Sequence, residues 1–455
     1  MSLPSSSAYG AALYRTLWRW HFYAGLFVIP FILILSVTGA VYLFKPQIDR
    51  WEERSFQALS IEKAVSPNVQ VDAALAAFPN ARFHHYRLPE QKGDAALVHL
   101  TLADGQTMRD VFVAPQGRVL GSRDPDDRIS RLLSRIHGSL LMGKLGDWLV
   151  ELAACWAIVM ILTGLYLWWP KGRGLAGVVW PRLHPKTFLR DLHAVTGFWV
   201  SGLALVLLLT GLPWSSVWGD ALDWTRGQMG WIKGERSWQT GAAPHADHDH
   251  GAMAKAMPTA GSSVSLADIV AKARQEALPW PVRIMAPGIG DWSAKADTTL
   301  WTVQSMTQNR PDRVTIRYDA ITGQEVSRET AAHKHIIDQA VSYGIAWHEG
   351  QLFGWSNQLI GALTALALIM LTISGFLMWR RRKPDGFRKG ALGGPPLPAL
   401  PVRMRGVAAI MLLLAVILPL FALSLAVLWL IDRFLLPMLP QLSEWLGVKR
   451  MPVSP

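Results

Sequence analysis

The chain has 455 residues, of which 51% are hydrophobic and 17% charged, with 22 tryptophans and a formal net charge of +12. That balance excludes an ordinary soluble globular protein and a disordered one, and points to an integral membrane protein. The positive charge then reads as a topology and lipid signal, not as a nucleic-acid footprint.

In chain order, five apolar stretches are long enough for a hydrocarbon core of ~30 Å, which takes ~20 helical residues. The first runs roughly from Phe22 to Phe44 behind "RWHFYAG". It exceeds the ~7 to 15 apolar residues of a secretory signal and no convincing cleavage site follows, so it reads as retained. Next comes "VDAALAAFPNARFHHYRLP", then "ALVHLTL" and "TMRDVFVAPQGRVLG", a helix followed by strands that close on a Pro-Gln-Gly turn. The second span, Trp148 to Trp169, contains Cys155, the single cysteine, so no intrachain disulfide can form. Beyond the third span, Ala194 to Trp214, "HADHDHG" places His245, His248 and His250 together, either as a metal-holding tract or as a solvated linker. "LADIVAKARQEA", "WTVQSM" and "RVTIRYDAITGQEV" then repeat the helix-and-strand pattern ahead of the fourth span, Trp355 to Trp379, and the fifth, Val407 to Ile431.

Lys171, Arg173, Arg182, Lys186 and Arg190 follow the second span, and Arg380, Arg381, Arg382, Lys383, Arg388, Lys389, Arg403 and Arg405 follow the fourth. Short cytoplasmic loops collect such residues, which puts the amino terminus inside, the carboxyl terminus outside and both long segments on the outer face. The expected fold is an all-α membrane bundle of five transmembrane helices with two small α+β modules outside. Its parts are a first transmembrane helix over 12–44, an outer module over 45–130, a second helix over 131–169 and a cytoplasmic loop over 170–190. A third helix covers 191–218, the His-rich linker 219–262 and the second outer module 263–345. The fourth helix covers 346–380, a loop 381–405, the fifth helix 406–432 and an outer tail 433–455.

The spans repeat. In "HFYAG…VTG", Gly25, Thr38 and Gly39 follow His21 at the offsets that Gly197, Thr210 and Gly211 keep from His193 in "HAVTG…LTG". In "HGSLLMG…TGLYLWW", Gly143, Gly164 and Trp168 follow His137 as Gly354, Gly375 and Trp379 follow His348 in "HEGQLFG…SGFLMW". A lone histidine near a membrane surface is more often a hydrogen-bonding residue than a ligand, but registered pairs at equal depth are costly and functional. Two imidazoles on neighbouring helices can supply both axial bonds of a haem, and Gly25, Gly197, Gly143 and Gly354 would let a flat macrocycle approach.

The chain resembles the PepSY-associated transmembrane family, and within it the ferric-siderophore reductase branch. The resemblance covers about Trp18 to Arg382 and is carried by "WRWHFYAGLFVIPFILILSVTGAVYLF", "RIHGSLLMGKLGDWLVELAACWAIVMILTGLYLWWP", "RDLHAVTGFWVSGLALVLLLTGLPW" and "WHEGQLFGWSNQLIGALTALALIMLTISGFLMWRRR". It implies two b-type haems ligated by His21, His193, His137 and His348, PepSY modules in the periplasm, and electrons passed to ferric siderophores from the bacterial inner membrane. The fifth span, the His-rich linker and the tail depart from smaller members.

Together these readings put one haem on His21 and His193, fed by a quinol or cytoplasmic donor, and a second on His137 and His348, delivering electrons to ferric chelates. Arg128, Arg131 and Arg135 outside, with Arg19 and Arg190 inside, are candidates for propionate pairing, or else for headgroup contacts. His137 stands about thirty residues from the inner end of its span, ~45 Å of helix, so Trp156 or Trp199 is a candidate relay. No dinucleotide fingerprint is present. Two other readings stay open: a regulatory module that binds a peptide or partner, and a metal-transport accessory using His245, His248, His250, His333 and His335.

Overall fold

The computed structural model describes residues 6–169, 176–232, 263–290, 297–382, 392–398 and 405–448. They divide into two compact units, one of residues up to Ala40, Ile136–Leu222 and Ile360 onward, the other of Val41–Arg135 and Asp223–Leu359.

The elements in chain order are α1 (Ser6–Tyr42), α2 (Lys45–Glu52), α3 (Pro67–Ala77), then strands β1 (Arg82–Arg87), β2 (Ala96–Thr101), β3 (Met108–Val113) and β4 (Val119–Arg123). Helices α4 (Ile129–Ser139), α5 (Gly143–Trp168), α6 (Phe188–Gly211), α7 (Ser216–Met229) and α8 (Leu266–Gln275) come next. Strands β5 (Val282–Met285), β6 (Leu300–Ser305), β7 (Val314–Asp319) and β8 (Glu325–Thr330) precede α9 (Ile336–His348), α10 (Trp355–Arg382), α11 (Arg405–Ile417) and α12 (Pro419–Leu430).

Among the described residues, five helical stretches are long and apolar enough to cross a membrane: Tyr9–Tyr42, Gly143–Trp168, Phe188–Trp214, Trp355–Arg382 and Pro419–Met438. Three differ from expectation. The second span does not continue back to residue 131, because Leu140 and Leu141 take φ of 52° and 60° and end α4 before α5 begins. The fourth breaks in the same way between α9 and α10, where Gly350 and Gly354 have φ of 72° and 57°. The fifth, expected as one helix over 406–432, is cut at Leu418 (φ −119°, ψ 91°), since the residue before Pro419 is driven out of helical geometry.

In the membrane unit, α12 packs on α5 through Cys155, Ile158, Val159, Leu418 and Phe421. Trp156 meets Phe421 edge to face at 5.2 Å and donates to Ser424 Oγ at 3.2 Å. Two buried carboxylates on α5 cap the start of α7: Asp147 accepts from the Ser216 amide at 3.1 Å, and Glu151 from the Val217 and Trp218 amides at 3.0 and 3.1 Å. Unsatisfied N–H groups and the positive end of a helix dipole account for acids at that depth.

In the other unit the two expected modules are one body. Among the described residues, all eight strands form a single antiparallel sheet in the order β4-β3-β2-β1-β5-β6-β7-β8. The junction is β1 with β5, where Tyr86 pairs with Ile284 and Arg87 with Arg283. Pairing at that point removes two open edges at once. Helices α3 and α8, capped by Ser66 and by a Ser265–Asp268 capping box, lie on a core shared by both halves, with Val71, Ala74, Ile269 and Val270 against Tyr86, Val98, Ile284 and Ile316. Turns close at Gly117 (φ 82°) and Gly323 (φ 68°), as the sequence predicts. Helix α9 is held by Arg226, whose guanidinium donates to both oxygens of buried Asp338 at 2.6 Å.

Candidate functional site

Three of the four registered histidines belong to the membrane unit, and each imidazole rests on a hydroxyl–glycine pair of another helix. His21 on α1 has Nδ1 3.0 Å from the Met160 carbonyl and 3.3 Å from Thr163 Oγ1 on α5. His137 on α4 has Nδ1 3.1 Å from Thr38 Oγ1 on α1. His193 on α6 has Nδ1 3.0 Å from Ser374 Oγ on α10. The next residue in each case is a glycine, and a Cβ on Gly164, Gly39 or Gly375 would stand 3.0, 3.1 or 3.3 Å from the respective imidazole Cε1.

The neighbouring groups favour the tautomer protonated at Nδ1. Thr163 donates to the Val159 carbonyl at 2.8 Å, Thr38 to that of Ile34 at 2.8 Å and Ser374 to that of Leu371 at 3.0 Å, so each oxygen is left to accept. For His21 the Met160 carbonyl can only accept, which assigns the proton to Nδ1 and makes Nε2 the basic nitrogen. This is how metal-binding histidines are oriented.

The rings of His21 and His193 lie edge to face, with centroids 6.4 Å apart and planes at 86°. Two imidazoles bonded to one metal from opposite sides, at about 2 Å per bond and about 1 Å from nitrogen to ring centre, put their centroids about 6 Å apart. The pair fits an axial ligand set.

His348 ends α9 in the sheet unit and is followed by Glu349, whose carboxylate lies 3.7 Å from Arg310. His245, His248 and His250 lie outside the described residues. His333 and His335 take local capping positions, accepting from the Thr330 and Ile337 amides at 3.3 Å each.

The supporting residues redistribute what the sequence suggested. Gly143 and Gly354 have open space around them and φ of 57°, so they serve helix starts. Gly25 and Gly197 are in ordinary contact, 3.7 Å from Met160 and Leu371 side chains. The close approach occurs instead at Gly164, Gly39 and Gly375, the glycines of the repeated Thr-Gly and Ser-Gly motifs. Arg19 donates to the Tyr23 hydroxyl at 3.1 Å and the Gly447 carbonyl at 3.0 Å, and Arg190 pairs with buried Asp191 at 3.0 Å. Arg128 bridges Asp110 and Glu53 at 3.0 and 2.8 Å, while Arg131 lies 3.5 Å from Asp126. Trp156 is fixed between α5 and α12, and exposed Trp199 donates to the Val179 carbonyl at 2.9 Å.

Five helices of membrane length, in a chain that also carries a folded antiparallel sheet, define a polytopic membrane protein. The PepSY-associated TM region matches residues 18–382, and the chain belongs to that family. No curated protein matches it. The fifth span lies beyond the matched residues.

Proposed function

We propose that the protein is a di-haem b-type oxidoreductase of the bacterial inner membrane, carrying electrons from a quinol or a cytoplasmic donor to periplasmic ferric iron held by a siderophore or similar chelate. The observation that supports it most is the pair His21 and His193, 6.4 Å between centroids, each imidazole steadied through Nδ1. His21 and His193 would hold the first haem. For the second haem the sequence offers His137 and His348 by their matching offsets, and His137 has its own Thr38–Gly39 support. The bound group supplies one-electron transfer.

The chain's own part is to hold the imidazole protons of His21, His137 and His193 at Nδ1, keep Nε2 basic and exclude water from a bundle of apolar helices. Ferric iron is the substrate in this scheme: Fe(II) binds hard oxygen ligands less tightly than Fe(III), so a reduced chelate gives up its metal.

The deciding experiment is a visible spectrum of the purified protein with haem counted per chain. Two low-spin b-type haems are expected, with the same one lost in His21→Ala and His193→Ala and the other lost in His137→Ala and His348→Ala. A chain without a Soret band overturns the reading.

A further inference from the structure

β1 carries His84 and His85 in succession, and a regular strand would send them to opposite faces. Its pairing with β2 shifts at this point: Phe83 opposes Leu100 and His85 opposes His99, which leaves His84 as an extra residue in the ladder. Such a bulge re-aims a side chain. The three imidazoles consequently meet, with centroids 5.3 Å apart for His84 and His85, 5.3 Å for His84 and His99, and 4.5 Å for His85 and His99. Ligand nitrogens of all three lie within 4.8 Å of one another, and the Nδ1 atoms of His84 and His85 are 3.1 Å apart. Each residue is partly exposed.

A support lies behind them. Asp110 on β3, directly opposite His99, has Oδ1 2.7 Å from His99 Nδ1, and its other oxygen accepts from Arg128 at 3.0 Å. With Nδ1 directed at the Asp110 carboxylate, Nε2 of His99 is the nitrogen left for a metal, the arrangement of a carboxylate–histidine–metal relay.

We propose that His84, His85 and His99 form a binding site for one divalent transition-metal ion of the zinc and copper class, with Asp110 as a positioning residue. Imidazole nitrogens select these ions over magnesium or calcium, which prefer oxygen. Three protein nitrogens leave a fourth position for water or an incoming ligand. The site shares no residue with the haem reading and stands if that reading fails.

The test uses the full chain with His245, His248 and His250 replaced by Ala, so that the linker does not compete for metal. After equilibrium dialysis against buffered Zn2+, zinc and iron are counted per chain by mass spectrometry. One zinc per chain is expected. His85→Gln and His99→Gln should each weaken zinc binding at least ~100-fold, and Asp110→Asn about 10- to 100-fold, with iron content unchanged throughout. Asp110→Asn should also lower the metal-free melting temperature, because buried Arg128 loses one of its two carboxylates, so affinities are compared at a temperature where both proteins are folded; Asp110→Glu should recover most of the affinity. The zinc K-edge spectrum of the parent protein provides a measurement independent of variant folding, with imidazole scattering expected. Failure of the parent to take up zinc, parental affinity in both histidine variants, or a shell of oxygen alone overturns the proposal.

Discussion

At Gly164 one missing methyl group decides whether His21 can lie where it does. A Cβ there would stand 3.0 Å from Cε1, against 3.3 Å for Gly375 and His193. Under the proposed function, Gly164→Ala should therefore strip more of the first haem than Gly375→Ala, measured as Soret amplitude per chain. Thr163→Val should weaken haem retention about 10- to 100-fold while Thr163→Ser preserves it, since the hydroxyl and not the methyl orients the ring. A different residue sets an acid limit. Glu53 lies between Arg87 at 2.6 Å and Arg128 at 2.8 Å; burial raises its carboxyl, but the two guanidiniums prevail and hold it below the usual range. A depressed folded value means stability that is complete above about pH 4.3 and lost as pH falls through the folded value. Glu53→Gln should lower the melting temperature at neutral pH and flatten its decline below about pH 4.3; parallel curves for parent and variant would contradict this. The register of the four histidines was legible because His21 and His193 repeat at fixed distances from glycine and threonine, and His137 and His348 at fixed distances from glycine and tryptophan. The jobs of Thr163, Thr38 and Ser374 were not, because each acts on an imidazole of a different helix. His84 and His85 were hidden for another reason, a bulge that strand alternation does not foresee.

The helix breaks after His137 and His348 show how a continuous apolar pattern conceals two elements. Hydropathy sees membrane length, whereas the turn depends on single residues in left-handed geometry. Gly350 combines φ of 72° with a virtual Cβ only 2.7 Å from a Leu43 methyl, while Gly354 has φ of 57° and open space. Gly350→Ala should accordingly destabilise more than Gly354→Ala, for which only the backbone cost of about 1–2 kcal/mol applies; thermal melts of the two variants give the order. At the fifth span Pro419 was visible in the sequence, and its effect on Leu418 follows from sterics alone. In the sheet, helices, strands and the Pro-Gln-Gly turn could be read from local pattern. The β1–β5 junction could not, because its partners are far apart in sequence and neither strand advertises a neighbour. Ile284 is fully buried in the shared core. Ile284→Ala should cost about 2–5 kcal/mol and speed amide exchange in β3 and β7 alike; faster exchange confined to β5–β8 would mean that the halves unfold separately.

For the molecule as a whole, the proposed direction of electron flow predicts an asymmetric phenotype. In His348→Ala the first haem should still be reduced by its donor, yet ferric chelates on the periplasmic side of oriented vesicles should no longer reoxidise the protein rapidly, as followed by stopped flow. Reoxidation at the parental rate would place the exit elsewhere. Membrane class and span number were evident from composition and apolar length. How each half contributes one histidine to the pair at His21 and His193 was suggested by the repeat and given distances by the structure. The strand order β4-β3-β2-β1-β5-β6-β7-β8 carries the same duplication into the sheet, with the first strand of each half at the centre. A polypeptide containing one half alone would end in a bare hydrogen-bonding edge, and the nearest complement to that edge is the same strand from another copy. Joining two copies in one chain turns a concentration-dependent dimerisation into an intramolecular event. Gene fusion here would act as a device for dilution resistance: the sheet closes at any expression level, however scarce the protein is in its membrane.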